Sequence, residues 1–118
     1  MNARLDHISA GLLLPAAPFE VSRSSAAINA ALEALARGLP LEPAPVRVNA
    51  VSPGLIETPL WDGIPEEKRK AMFESAASRL PTLRVDHPAD IANAVLFLLT
   101  TPFATGSTVR VDGGGVVA

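Results

Sequence analysis

Two short segments alternate apolar and polar residues and are predicted to be β-strands. The first covers residues 46–52 and reads VRVNAVS, and the second covers residues 108–112 and reads TVRVD. Pro53 ends the first strand because it has no N–H for the ladder, and Gly54 allows either a close backbone approach or a positive φ. Ligands of open α/β sheets bind where strands end in such turns. The Pro53-Gly54 turn is therefore the best candidate for a binding edge, with a plain tight turn as the alternative.

Three further segments have the pattern of helices. Residues 22–38 are apolar on nearly every side, so this helix is predicted to be buried on two sides, the second against another subunit. Residues 55–80 contain a loop and then a helix that starts at Pro65. Residues 88–100 form a late helix that starts at Pro88 and is strongly apolar.

The order of these elements indicates one α/β domain. Helices and strands alternate from residue 22 to residue 112, as in a parallel sheet with flanking helices. The lead-in over 1–21 contains Pro15 and Pro18 and is predicted to be irregular, with a short apolar run that is a strand end or a loop. The length of 118 residues allows a single domain over 1–118.

Composition and charge exclude several classes of partner. The net charge is −2 and there is no Cys. Without a basic stripe, neither nucleic acid nor a membrane surface is expected as a partner. His7 and His87 lie far apart in the sequence, so no metal site is expected. The apolar runs are shorter than the roughly 20 residues of a membrane helix, and the N-terminus lacks a convincing signal-peptide pattern, which leaves the cytoplasm as the expected compartment.

The order of four motifs resembles the C-terminal half of a short-chain dehydrogenase/reductase. The resemblance covers about residues 22 to 115. The motifs are residues 30–36 (AALEALA), residues 46–54 (VRVNAVSPG) followed by Thr58, Arg84 with residues 87–92 (HPADIA), and residues 105–106 (TG) with residues 111–114 (VDGG). The resemblance implies a partial Rossmann-type fold, the C-terminal half of a doubly wound parallel sheet. It also implies NAD or NADP as cofactor, and homo-oligomers (dimers or tetramers) assembled through helices 22–38 and 88–100.

The resemblance also assigns a cofactor-binding loop to Pro53, Gly54, Ile56 and Thr58. It implies that the backbone near Ile56 meets the nicotinamide carboxamide. It further implies that the Thr58 hydroxyl bonds the carboxamide or a phosphate. The alternative for the first two positions is again a tight turn without a ligand.

Residues 55–80 form the substrate-side flap of the family site, by the same resemblance. Trp61, Met72 and Phe73 are then candidates to line an apolar pocket. Packing of the flap against itself is the alternative for all three residues.

The catalytic pair of the family, Tyr-x-x-x-Lys, is substituted in this chain. Counting back without gaps from residues 46–49 places Ser25 at the Tyr position and Asn29 at the Lys position, and the chain contains no Tyr at all. A Ser hydroxyl has a far higher pKa than a phenol, and an Asn amide carries no charge that could lower a neighbouring pKa. Ser9 is the candidate for the substrate-orienting Ser of the family. Alternatively, Ser25 and Asn29 fill a cap and a surface position.

The glycine-rich phosphate loop of the family has no counterpart either. Residues 113–115 are glycines, but they follow the last strand and so cannot be the dinucleotide fingerprint. Three hypotheses therefore stay open: an oxidoreductase chain with impaired or lost chemistry, a non-catalytic oligomerisation or binding module, and a truncated gene product. The sequence indicates neither the substrate nor a choice between NAD and NADP.

Four polar residues near these motifs have structural interpretations. Asp90 is predicted to be a first-turn charge of the late helix and His87 the residue before that helix. Arg84 either bridges the flap to neighbouring backbone or is solvated. Asp112 and the glycines after it are predicted to serve the geometry of the tail or an interface.

Overall fold

The computed structural model describes residues 6–10, 23–42 and 44–117. Three strands and three α-helices follow one another in the chain. They are β1 (Asp6–Ala10), α1 (Arg23–Gly38), β2 (Arg47–Pro53), α2 (Glu66–Ala77), α3 (Pro88–Thr100) and β3 (Thr108–Val111), with short 3₁₀ turns at Leu39–Leu41 and Pro59–Trp61.

The strands form one parallel sheet in the order β1-β2-β3. Val51 in β2 pairs with Val109 in β3, and Ala50 pairs with Ser9 in β1 on the other side. The prediction that segments 46–52 and 108–112 lie side by side in a parallel sheet is confirmed. The β2 strand comes between the other two and is buried over its first five residues.

The prediction of an irregular lead-in over 1–21 was wrong for Asp6–Ala10, which form β1, and the strand alternative for its short apolar run is confirmed there. This segment reads DHISA and contains three polar residues, so its own pattern is too weak to indicate a strand. It is extended because five of its residues pair with β2. Residues 11–21 of the lead-in lie outside the described residues.

The helices agree closely with the predicted segments. The α1 helix begins one residue later than predicted and ends at the predicted Gly38, and α3 has the predicted bounds. Within the flap, α2 covers Glu66–Ala77 and Pro65 is its N-cap. A proline suits this end of a helix because the N–H that it lacks would have no intrahelical partner.

Two small hydrophobic clusters hold the elements together. One joins Val51 of β2 to Ala94 and Leu98 of α3. The other lies under the flap and contains Met72, Phe73, Ala76 and Val85.

The outer faces of α1 and α3 are not covered within the single chain. Ala36 is buried in α1, but Ile28 and Leu35 are 45% and 51% exposed, and Phe97 in α3 is 55% exposed. Within this chain α1 is therefore buried on one side only. The second buried side, against another subunit, stays a prediction.

Arg47 and Asn49 occupy the polar positions of the β2 alternation, yet both are buried. Their side chains reach the segment that follows α3. Arg47 donates hydrogen bonds to the carbonyls of Leu98, Leu99, Thr101 and Ala104. The Asn49 amide donates to the Ala104 carbonyl at 3.0 Å and accepts from the Ser107 N–H at 3.1 Å. These two residues therefore attach the end of α3 and the start of β3 to the middle of the sheet.

Candidate functional site

The turn after β2 brings the backbone of Gly54 against β3. The Gly54 N–H donates to the Val111 carbonyl at 2.8 Å. A Cβ atom at this position would lie 2.7 Å from the Asp112 Cα, closer than real contacts allow. Gly54 is therefore needed for a close backbone approach, and the structure gives its neighbour as β3.

The next residues form a short parallel bridge between Ile56 and Asp86. The Asp86 N–H donates to the Leu55 carbonyl, and the Glu57 N–H donates to the Asp86 carbonyl, each at 3.0 Å. Among the residues that the structure describes, none accepts from the Ile56 N–H, and the Thr58 hydroxyl makes no hydrogen bond. Two donors without a partner in the described part of the chain therefore lie on this loop, and Ile56 itself is buried, at 9% exposed.

Trp61 connects this loop to the flap. Its indole Nε1 donates to the Ile56 carbonyl at 2.9 Å, and its ring packs edge-on against Phe73 with centroids 6.0 Å apart. Met72 and Phe73 are each 8% exposed and belong to the cluster under the flap, against which Trp61 packs. The structure thus brings the three candidate pocket residues together, and their contacts support the packing alternative. A role in lining a substrate pocket stays a prediction.

Arg84 is held by the N-terminus of α3. Its guanidinium binds the Asp90 carboxylate through two hydrogen bonds of 2.8 and 3.0 Å, and Asp90 also accepts from the His87 N–H at 3.0 Å. The Arg84 hydrogen bond, followed by that of His87, lowers the pKa of Asp90 to about 2. Asp90 is therefore a first-turn charge and His87 the N-cap, as predicted. The solvated alternative for Arg84 is wrong.

Asp86 is the buried acid of this region, since its side chain is 6% exposed. Burial raises the pKa of the Asp86 carboxyl above its ordinary value of 3.8, and the charge on Asp90 raises it further. Oδ2 atoms of both Asp86 and Asp112 are buried without a hydrogen-bond partner in the described part of the chain. Two buried carboxylate oxygens that accept no hydrogen bond from the described residues therefore lie close to the loop.

The substituted catalytic positions lie on other elements. Ser9 is in β1 and Ser25 is in the first turn of α1, but their side chains fall outside what the structure describes. Asn29 is half-buried and faces the sheet, where its Oδ1 has no hydrogen-bond partner among described residues. The surface alternative for Asn29 is therefore wrong. Asn29 faces a small recess of about 10 Å³, which is lined by Leu32, Glu33, Ala50, Val51, Ser52 and Thr108.

The glycines after β3 pack against the end of the flap. Gly113 and Gly114 have φ of 62° and 89°, in the region that favours glycine. A Cβ at Gly113 would lie 2.6 Å from the Thr82 Oγ1, and one at Gly114 would lie 2.7 Å from the Pro81 ring. These contacts support the tail-geometry alternative for the glycines, and the interface alternative stays a prediction.

Comparison with known proteins decides the family. The model of the enoyl-(acyl carrier protein) reductase family matches residues 17–115. The chain belongs to the short-chain dehydrogenase/reductase family. A 3-oxoacyl-[acyl-carrier-protein] reductase of Thermotoga maritima is 42% identical over 74 residues, which cover 61% of this chain and 28% of the relative.

Solved structures of the family support the fold. A small-chain dehydrogenase in complex with NADPH is 44% identical, with a TM-score of 0.74 over 80% of this chain and 43% of that chain. An NADPH-bound short chain oxidoreductase from Pseudomonas aeruginosa PAO1, described as containing an atypical catalytic center, is 29% identical, with a TM-score of 0.77 over 96% of this chain and 46% of that chain. The partial Rossmann-type fold is confirmed. The chain matches less than half the length of these proteins.

The structure adds three features that sequence reasoning missed. These are the indole bond of Trp61, the burial of Asp86, and the reach of Arg47 to α3. Of these, only the Trp61 hydrogen bond has a partial signal in the sequence, since Pro59 favours a turn that brings Trp61 back toward Ile56. In the described ranges, none of the helices has both the length and the apolar character that a bilayer crossing requires.

Proposed function

We propose that this chain carries the nicotinamide side of an NAD(P)-dependent oxidoreductase site and transfers no hydride by itself. The open Ile56 N–H and Thr58 hydroxyl carry the first part of this proposal. They lie at the carboxyl end of parallel strands, where ligands of such sheets bind. The NADPH in a 44%-identical structure supports the same assignment. Pro53 and Gly54 then shape the loop, and Ile56 and Thr58 donate to the cofactor.

The second part rests on Ser25 and Asn29. A nicotinamide cofactor, when bound, supplies or accepts hydride, and the protein must then move a proton. Ser25 is too weak an acid for this step, and the uncharged Asn29 cannot lower its pKa. Ser9 could at most orient a substrate. No glycine-rich segment precedes a helix in these 118 residues, so the adenosine and phosphate part of a dinucleotide should be held weakly.

A cofactor titration tests both parts. We expect the chain to bind NADH and NADPH at millimolar concentration, measured through the fluorescence of the cofactor, and to show no turnover with carbonyl substrates. The double variant Ser25→Tyr and Asn29→Lys should still be inactive, because the phosphates remain without a cradle. Absence of binding at millimolar cofactor would refute the first part. Turnover by the natural chain would refute the second.

A non-catalytic assembly module is the second candidate function, and the uncovered faces of α1 and α3 favour it. Leu35 and Phe97 are 51% and 55% exposed, and exposed apolar patches mark interaction surfaces. We propose that these helices join copies of the chain into a homo-oligomer in the cytoplasm. Light scattering should show a dimer or larger species that Phe97→Lys dissociates, whereas Leu41→Lys, an exposed site outside both helices, should not. Assembly without any cofactor binding would favour the module over the oxidoreductase chain, and a monomer would refute it.

A further inference from the structure

The recess between α1 and the sheet has the size of one water molecule. Its volume is about 10 Å³, and a buried water needs a polar space of roughly 10–15 Å³. Asn29 and Glu33 line the recess from α1, and Thr108 lines it from β3. Because Asn29 and Glu33 lie one helical turn apart, they share the face of α1 that packs on the strands. The recess is therefore part of the packing between α1 and the sheet.

Two of the residues that line this recess have a buried polar atom without a hydrogen-bond partner in the described part of the chain. The atoms are Asn29 Oδ1 and Thr108 Oγ1. An amide oxygen only accepts, whereas a hydroxyl oxygen both donates and accepts. A buried polar group without a hydrogen bond destabilises the folded state, and ordered water supplies the bond where no protein group does. One small molecule that donates two hydrogen bonds can therefore satisfy both atoms.

We propose that the recess is a binding site for one structural water, which bridges Asn29 of α1 to Thr108 of β3. The water donates one hydrogen to Asn29 Oδ1 and the other to Thr108 Oγ1. It gives α1 a buried polar link to β3, in addition to the more exposed pair of Glu33 and Arg110. This site goes beyond the proposed function, since it requires no cofactor.

The lining of the recess favours water over a cation. Its apolar part consists of Leu32, Ala50 and Val51, and its one carboxylate, Glu33, pairs with Arg110 at 3.3 Å. Hard cations bind several oxygen ligands, carboxylates among them. The described residues contain no group of three or more His, Cys, Asp or Glu side chains that could hold a metal ion. A neutral ligand with the volume of one water is therefore the better match.

Nuclear Overhauser contacts between water and the labelled chain test the site directly. We expect a cross-peak between water and the protons of Thr108, with the sign of a long-lived bound water. Asn29→Leu keeps the branched shape and removes the amide, so it should abolish this cross-peak although the Thr108 hydroxyl is still present. A cross-peak that survives in Asn29→Leu would come from exchange of the hydroxyl proton and would overturn the proposal. Absence of the cross-peak in the natural chain would overturn it too.

A double-mutant cycle in urea unfolding measures the bridge itself. Asn29→Leu and Thr108→Val each remove a polar atom and nearly keep the shape, and each should lower the folding equilibrium constant by about 3- to 10-fold. The double variant should lose about as much as one single variant, because the water leaves with the first substitution. Ser107→Ala is the matched control, since Ser107 does not line the recess. Its effect should multiply with that of Asn29→Leu to within about 2-fold, and the same multiplication for Thr108→Val would overturn the proposal.

A change of salt separates water from a cation. At equal ionic strength, the urea midpoint of the natural chain should be the same in sodium chloride and in choline chloride, because a bound water is indifferent to the cation. A midpoint that is higher in sodium chloride for the natural chain, and equal in the two salts for Asn29→Leu, would identify a cation in the recess and overturn the assignment to water.

Discussion

Replacement of Arg47 by Leu should destabilise the chain strongly, because this guanidinium closes the end of α3. Arg47 is 7% exposed. Its Nη1 lies 2.9 Å from the Leu98 carbonyl and its Nη2 lies 3.2 Å from that of Leu99, both in the last turn of the helix. These carbonyls have no intrahelical N–H partner, and they are the negative end of the helix dipole.

The size of the effect follows from the acceptors that would be lost. Two further carbonyls, of Thr101 and Ala104, accept from Nη1 at 3.1 and 2.8 Å. A hydrogen bond to a charged group contributes about 1.5–3 kcal/mol to stability, and a buried orphan carbonyl costs about 1–3 kcal/mol. These terms do not add fully, since one nitrogen serves three acceptors and a buried guanidinium has a desolvation cost. A net loss of about 2–4 kcal/mol is expected, a large part of the roughly 5–15 kcal/mol that holds a typical domain.

Urea unfolding followed by far-UV circular dichroism measures this loss. Leu keeps apolar volume at the site, so the change isolates the polar contacts from a cavity. Arg47→Lys keeps the charge without the planar fork and should lose about half as much, which gives a readout if Arg47→Leu fails to fold. Arg110→Leu is the control, because this exposed arginine pairs only loosely with Glu33, at 3.3 Å, and such pairs contribute about 0–1 kcal/mol. Equal unfolding midpoints for Arg47→Leu and Arg110→Leu would show that the buried guanidinium adds no stability.

Three further substitutions have predicted effects on stability whose direction is definite. Gly54→Ala places a Cβ 2.7 Å from the Asp112 Cα and should cost about 1–3 kcal/mol in urea unfolding, whereas Gly38→Ala, with nothing within 4 Å, should be near neutral. Asp86 has a raised folded-state pKa, so its contribution is fully present below the unfolded value of 3.8 and is lost as pH rises through the folded value. Asp86→Asn should therefore gain stability relative to the natural chain between pH 4 and pH 8, and a constant difference in unfolding midpoint would contradict the raised pKa. Leu83 has a φ of 54° and is 72% exposed. Leu83→Gly should raise the melting temperature, because glycine relieves about 1–2 kcal/mol of left-handed strain. This gain exceeds the cost of about 0.5–1 kcal/mol for the greater freedom that glycine loses on folding. An unchanged or lower melting temperature would show that this strain is absent.

The sequence predicted those elements whose signal is local. The α3 helix begins at Pro88 and carries a continuous apolar run, so its bounds were predictable from short-range chemistry. For β1 the sequence left a strand end or a loop open, because its pairing with β2 depends on residues about 40 positions away. Arg47 was predicted as the polar side of an alternating strand, and its burial depends on carbonyls more than 50 positions further along the chain. Periodicity shows which residues share a face and does not show what later covers that face.

For the candidate site too, the sequence gives the local features and does not give the contacts between distant residues. Motif order predicted Ile56 and Thr58 as cofactor contacts, because the turn at Pro53-Gly54 is a local feature. It could not show that the Ile56 carbonyl is bonded by Trp61, since that contact depends on a rotamer and a 3₁₀ turn. Nor could it show that Asp86 lies in the interior, because a short polar segment between two helices has the composition of an exposed loop.

The contacts that fix the loop after β2 are separate from α1, the helix that holds Ser25 and Asn29. The loop after β2 is held by Val111, Asp86 and Trp61, and all three lie outside α1. Ser25 and Asn29 are on α1, which packs on the sheet and makes none of the described hydrogen bonds to the loop. In the described part of the chain, the position of the Ile56 N–H therefore does not depend on hydrogen bonds from α1. Under the proposed function, substitution of the family's catalytic pair on α1 is then compatible with a nicotinamide contact at the loop.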